Sequence, residues 1–447
     1  MKTIKNPFKV LATKCLAIPI FAILFVPQFS YADDTAAVQA LITAGSAFPA
    51  GKTYSVGSTL MVTKSVNFNG DVINFTATAA SSCLKLTAAG VTVQNGTING
   101  TWTPTSAYST VGQSGISVGA DNCTITKMTV QNVGVYGIVS GAHNNLTITY
   151  NKILNTGYIG FYFDSEAATT GGVFSYNTVD RSLIAPTAVH QLAVGIRGAS
   201  AGTSPVASGW TIANNTITMP LNPTDWTAEC IEVRAVANCV ISGNTFNQSS
   251  IGVSVARSSN VTVTNNKITN AQLEAIEVND VITGICSNNV ITGGVGNGYL
   301  FDGAVGSNGV TITGDQISGT KNDCIHTTAG TQNVKIVNAV LSASNGTKPI
   351  SLLGTTGVTV TGTTFKGDNS AGQIAVLLTN CAGGLTINGA TISNFAKCLV
   401  YISNTTSGLV TNNISVSGNT VNGVATPLGT YLINGAAVGS NVVVTLK

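Results

Sequence analysis

Asn238-CVISGNTF-Asn247 and Asn260-VTVTNNKI-Thr269 are two copies of one pattern, and residues 145–153, 209–218 and 310–318 repeat it. Each copy is a short run of alternating apolar residues, an Asn or Asp at a corner, then a second short run. The alternation has period two and is rich in β-branched residues, and every run is too short for a helix, so both halves are strands. About ten residues after each corner comes a third strand, whose first inward residues are Ile138, Phe161, Ile196, Ile231, Val253, Ile276, Tyr299, Ile325, Ile350 and Val376. Successive members lie 22 to 26 residues apart, except for two intervals of 35. That period is too short for a propeller blade and lacks the Leu pattern of a leucine-rich repeat. It fits one turn of a parallel solenoid whose coils stack about 4.8 Å apart. The recurring Asn151, Asn177, Asn215, Asn244, Asn266 and Asn289 then form a ladder at one corner, bonded to one another and to backbone.

Composition agrees. The 447 residues are 44% hydrophobic and only 8% charged, with 49 Gly and a formal net charge of +3. A disordered tail, a coiled coil and a nucleic-acid binder all need far more charge. Mean hydropathy is +0.32, yet beyond the first thirty residues no apolar run approaches the length of a membrane span. The start of the chain reads as an export signal: Lys2, Lys5, Lys9 and Lys14 precede an apolar stretch from Cys15 to Val26, and Ser30-Tyr31-Ala32 offers small residues for cleavage after Ala32. Residues 33–447 then form one secreted domain, extracellular or periplasmic, monomeric and with no membrane attachment after cleavage. Its eight cysteines show no CxxC or metal-ligand spacing and mostly adjoin apolar strands, which predicts buried free thiols with at most a few local bridges.

The opening Asp33-Asp34-TAAVQALITAG, followed by Phe48-PAGKTYSVGSTLMVTKSVNFNG and Val93-QNGTING, resembles the start of secreted proteins of the pectate-lyase-like superfamily. The resemblance implies an all-β fold, a right-handed parallel β-helix, with a short amphipathic helix capping the first coil and Val38, Leu41 and Ile42 as its apolar stripe. It also implies action on a polysaccharide, although members of that superfamily include lyases, hydrolases, epimerases and phage tailspikes, so activity has to be argued from the site.

The third strands carry the scarce charges. Alternation predicts a first outward row of Val139, Tyr162, Arg197, Glu232, Ser254, Glu277, Leu300 and His326. A second row runs Asp164, Ala199, Arg234, Ala256, Asn279, Asp302 and Thr328, with Glu229, Glu274 and Asp323 on the lip of the same face. The two long coils place their extra residues mainly near 182–192, 200–209 and 218–228, beside these rows. Loops confined to adjacent coils suggest a built wall. They hold His190, Trp210 and Trp226, and with Tyr136, Tyr158 and Tyr162 they supply aromatic rings for sugar stacking or for covering core.

Three chemistries fit. β-Elimination on a uronate polymer such as alginate or pectate, the leading expectation, needs a carboxylate neutraliser, a base and an acid. Arg197 or Arg234 could supply the first, Tyr162 or His190 the others. The resemblance to calcium-dependent lyases implies Ca2+ held by Glu232, Glu277 and Asp302. Substrate contacts are expected from Tyr158, Asp164, Trp226, Glu277, Asn279 and His326. Hydrolysis by Glu232 and Glu277, two coils apart in one row, is the alternative, with Arg197 beside Glu232 counting against Glu232 as an acid. A non-catalytic glycan-binding or surface solenoid is the third. No GxSxG elbow, HExxH, P-loop or dinucleotide fingerprint is present.

Overall fold

Three strands per turn, each paired in parallel with its counterpart one turn later, build a solenoid with one 28-stranded and one 16-stranded sheet. The computed structural model describes residues 33–104, 112–184, 192–198, 205–220, 228–407, 409–432, 438–439 and 441–446. The helix Thr35–Ala44 closes the first turn, burying Val38 and Ile42 with Leu41 packed partly against the core. Gln39 pairs with the backbone of Met61 through both side-chain atoms, at 2.8 and 3.0 Å, so the helix also blunts an edge strand. Among the described residues no helix is long and apolar enough to cross a membrane.

Tandem residues at the corner explain the recurrent Asn-Asn. In Asn214-Asn215, Asn265-Asn266 and Asn288-Asn289 the first residue turns the chain at positive φ, between 54° and 56°, a conformation Asn tolerates. The second points inward. Asn151, Asn177, Asn215, Asn244, Asn266 and Asn289 each donate from Nδ2 to the next member's Oδ1 and to a strand carbonyl, at 2.9–3.4 Å. The ladder ends on Asp315, which also accepts the Tyr299 hydroxyl. Burial pushes the Asp315 carboxyl up to about 6. Every rung satisfies polar groups that no water reaches, which is why this polar line can run through an apolar interior.

Around the ladder, the core is a stack of like residues such as Phe161, Phe163, Phe174 and Trp210. Phe161 lies on Phe174 with ring centroids 5.0 Å apart. Each fully buried large side chain contributes about 1.5–3 kcal/mol. Trp210 is 1% exposed and packs 4.8 Å from the Phe163 ring. It is therefore core and not a sugar platform. Gly172 makes its space, because a Cβ there would lie 2.6 Å from the indole. All eight cysteines of the described chain are buried and free, as their apolar flanks predict.

Candidate active site

The third strand of each turn carries the charged face. Its pairing fixes a first row of Val139, Tyr162, Gly195, Glu232, Ser254, Glu277, Leu300 and His326. The second row is Asp164, Arg197, Arg234, Ala256, Asn279 and Asp302. One expectation is corrected here. The inward residue of the first long turn is Val194, stacked between Phe161 and Ile231, so Arg197 belongs to the second row and Gly195 takes its place in the first. A shift of two residues keeps every side chain on its face, so alternation alone could not detect it.

Glu229, Ile251, Glu274 and Asn297 form a third row at the start of these strands. Glu229 and Glu232, like Glu274 and Glu277, are three residues apart, which strict alternation would place on opposite faces. They share a face because the corner turns two successive residues inward. At the first of these, Gly160 and Gly298 have no room for a Cβ, which would meet the next turn's carbonyl oxygen at 2.5 Å. Alternate turns thus present an ionisable pair: Glu229 with Glu232, Glu274 with Glu277, Asp323 with His326.

Arg197 joins two rows. Its Nε and Nη2 both lie 2.7 Å from Glu232 Oε2, and its Nη1 lies 3.5 Å from the Tyr162 hydroxyl. Tyr162 donates to Asp164 Oδ2 at 2.9 Å, and burial together with that carboxylate pushes its phenol above the usual range. The Tyr162 hydroxyl thus directs its proton at Asp164. Tyr136 stacks on Tyr162 at 5.5 Å and tilts against Tyr158 at 5.7 Å, giving a three-ring patch at one end of the face. His190 and Trp226 lie outside the described residues, as do Ala199 and most of the inserted segments.

The carboxyls differ sharply in setting. Glu229 is only 5% exposed, and its Oε2 has no hydrogen-bond partner among the described residues. Burial, then Glu232 and Glu277, push it well above the ordinary 4.5, against Arg197 and Arg234. Burial and then Glu277 push half-buried Glu274 up to about 7. Burial also raises Glu277, whose Oε2 accepts the Ser254 hydroxyl at 2.6 Å. Asp302 accepts the Gly303 N–H at 2.6 Å. Of the expected calcium ligands, Glu232 Oε2 meets Arg197, Glu277 Oε2 accepts from Ser254 and Asp302 Oδ1 from the Gly303 N–H, and among the described residues no three His, Cys, Asp or Glu form a metal-binding group. His326 sits two turns beyond Glu277, with Nδ1 3.3 Å from Asp323 Oδ2.

A raised carboxyl pKa in the folded state stabilises the fold below the ordinary 4.5 and withdraws that stability as pH climbs toward the folded value. Glu229→Gln, isosteric with the protonated acid, is expected to flatten the fall in melting temperature between pH 5 and 9 relative to the parent chain. An unchanged slope would mean that Glu229 ionises freely.

A family profile described as "right handed beta helix region" matches residues 189–341, roughly a third of the chain. The chain is a right-handed parallel β-helix. No curated protein matches it by sequence. Three solved β-helix structures illustrate the likeness. The catalytic unit of a GH87 α-1,3-glucanase from Streptomyces thermodiastaticus is 14% identical over 87% of this chain and 66% of its own, with a TM-score of 0.48. PfbA, a surface adhesin of Streptococcus pneumoniae, is 12% identical over 84% of this chain and 90% of its own, TM-score 0.47. The Dettilon tailspike protein is 14% identical over 83% and 65%, TM-score 0.43. This β-helix spans less than two thirds of the glucanase and tailspike chains.

Proposed function

We propose that this chain is an exported enzyme that hydrolyses an extracellular polysaccharide lying along the charged face, with Glu274 as general acid and Glu232 as the base that activates water. The observation that carries this reading is the contrast between two carboxyls two turns apart. Glu274 is pushed up to about 7, as suits a general acid, while the Glu232 carboxyl meets the Arg197 guanidinium at 2.7 Å. Two turns put about 9.6 Å between their strands along the axis, and Glu274 lies three residues nearer the start of its strand than the register partner of Glu232, so the pair stands wider than the close spacing of a covalent, retaining mechanism. Glu274 replaces Glu277 of the sequence reading because Glu277 is tied to Ser254. The lysine-rich, then apolar N-terminal stretch supports export.

Uronate elimination is the second reading, favoured by the contact of Arg197 with the Tyr162 hydroxyl. There Arg197 or Arg234 would meet the substrate carboxylate and Tyr162 would protonate the leaving oxygen. Hydrolysis is preferred because Arg197 is already neutralised by Glu232 and the described residues offer no comparable base.

Incubation with neutral and acidic polysaccharides, followed in parallel by reducing ends and by the ultraviolet absorbance of unsaturated uronates, tests the proposal. New reducing ends without absorbance support it. Absorbance transfers the site to elimination, and polymer binding with neither signal makes the chain a glycan-binding solenoid. In the same assay Arg197→Ala is expected to lower turnover about a hundredfold or more, since Glu232 loses the two 2.7 Å contacts that fix its position and the site loses a fixed cation. Lys267→Ala, exposed on another face, is expected to be silent.

A further inference from the structure

Two turns beyond Glu274 and Glu277 the same face opens into a cleft of about 340 Å³, walled by Asn297, Lys321, Asn322, Asp323, His326 and Lys348. Its construction separates charges. Asp323 is 9% exposed. Its Oδ1 accepts the Lys348 N–H at 3.1 Å and lies 3.5 Å from Lys348 Nζ, while its Oδ2 faces His326 Nδ1 at 3.3 Å. Its own N–H donates to Asn297 Oδ1 at 3.1 Å. Burial acts to raise the Asp323 carboxyl, but the bonds from His326 and Lys348 outweigh it and hold the group below its usual range. The one carboxylate of the cleft is therefore spent inside the wall, where it fixes His326 and Lys348.

What remains toward solvent is basic or neutral. The Lys348 and His326 side chains are 26% and 31% exposed, and Lys321 and Asn322 are exposed. With Nδ1 on Asp323, His326 turns Nε2 away from that carboxylate. Lys348 and Asp323 cancel, so Lys321 leaves the cleft with surplus positive charge. The turns before it set five carboxyl groups, Glu229, Glu232, Glu274, Glu277 and Asp302, against Arg197 and Arg234, with Glu229 and Glu274 pushed toward their neutral forms. A polymer whose sugars bear acid groups would be held at the cleft.

We propose that this cleft is a subsite for an acid group of the substrate, with Lys321 and Lys348 as its cationic contacts, so that the polysaccharide is an anionic one. The proposal rests on the hydrolase reading for the direction of the chain along the groove, but not for binding itself. Ammonium groups beside an Asn pair suit a carboxylate or a sulfate, and such contacts weaken with salt.

Binding is measured by affinity electrophoresis on full-length mature protein carrying Glu274→Gln, which keeps the polymer intact. The gels contain polygalacturonate, alginate, chondroitin sulfate, fully methyl-esterified pectin or dextran. The expected result is retardation by at least one charged polymer, weakened at high ionic strength and about tenfold weaker after Lys321→Gln or Lys348→Gln. The neutral polymers should bind less and respond to neither substitution. Because Lys348→Gln unbalances buried Asp323, its melting temperature is followed. Lys321→Gln touches no buried group and decides alone if the other unfolds. Equal retention of charged and neutral polymers, or indifference of charged-polymer binding to Lys321→Gln, overturns the subsite. Charge-dependent binding by a parent chain that cleaves nothing keeps the subsite and overturns the hydrolase.

Discussion

Glu274→Gln is expected to lower kcat by about 10²- to 10⁴-fold, the usual worth of a positioned general acid, with the fold intact. Gln keeps the size of the protonated acid and can still bond to Asn297, but it has no proton to give a leaving oxygen. The pH profile of the parent chain supplies an independent signature. The acid must be protonated to act, so the rate should fall as pH rises through about 7. Glu232 is the base that activates water, so Glu232→Gln should be as damaging as Glu274→Gln. Steady-state rates across pH for the three proteins check this. A Glu274→Gln chain with full rate, or an unmoved alkaline limb, would remove Glu274 from the chemistry.

Asn244→Ala is expected to cost about 3–5 kcal/mol, a large share of the stability of an ordinary domain. The side chain donates to Ile212 O and Asn266 Oδ1, and accepts from the backbone N–H and Nδ2 of Asn215. Alanine deletes all four bonds and leaves the Asn215 donors and the Ile212 carbonyl buried without those partners. Leaving such groups unmade costs more than the bonds themselves contribute. The shift in denaturant midpoint measures it. A loss below about 1 kcal/mol would mean that water enters the corner and that the ladder is ornamental to stability. Because each turn contacts its neighbours, the damage should extend to adjacent turns.

The solenoid was legible because one local pattern recurs, and each recurrence repeats the same inward residues and corner Asn. The second outward row from Arg234 to Asp302 was legible for the same reason. Val194-Gly195-Ile196-Arg197 was not, since Val194 and Ile196 are equally good inward residues. Only the pairing with Phe161 and Ile231 selects one. Glu229 and Glu274 could be placed on the lip, but their proximity to Glu232 and Glu277 depends on a corner that turns two residues inward, which breaks the period of two. The signal was present in the small residues that fill that corner: Gly160, Cys230, Ala275 and Gly298. The sequence leaves Trp210 open between sugar stacking and core cover, and its burial requires the space left by Gly172. Alternation also does not encode which groups each outward carboxylate faces, such as Arg197 at Glu232 and Ser254 at Glu277.

The most direct test of a hydrolytic groove with its carboxylates two turns apart is proton NMR of the first products released from the polymer that yields reducing ends. The account predicts an inverted anomeric configuration at the new reducing end and no signal from a ring double bond. Retained configuration, or a double bond, would contradict it.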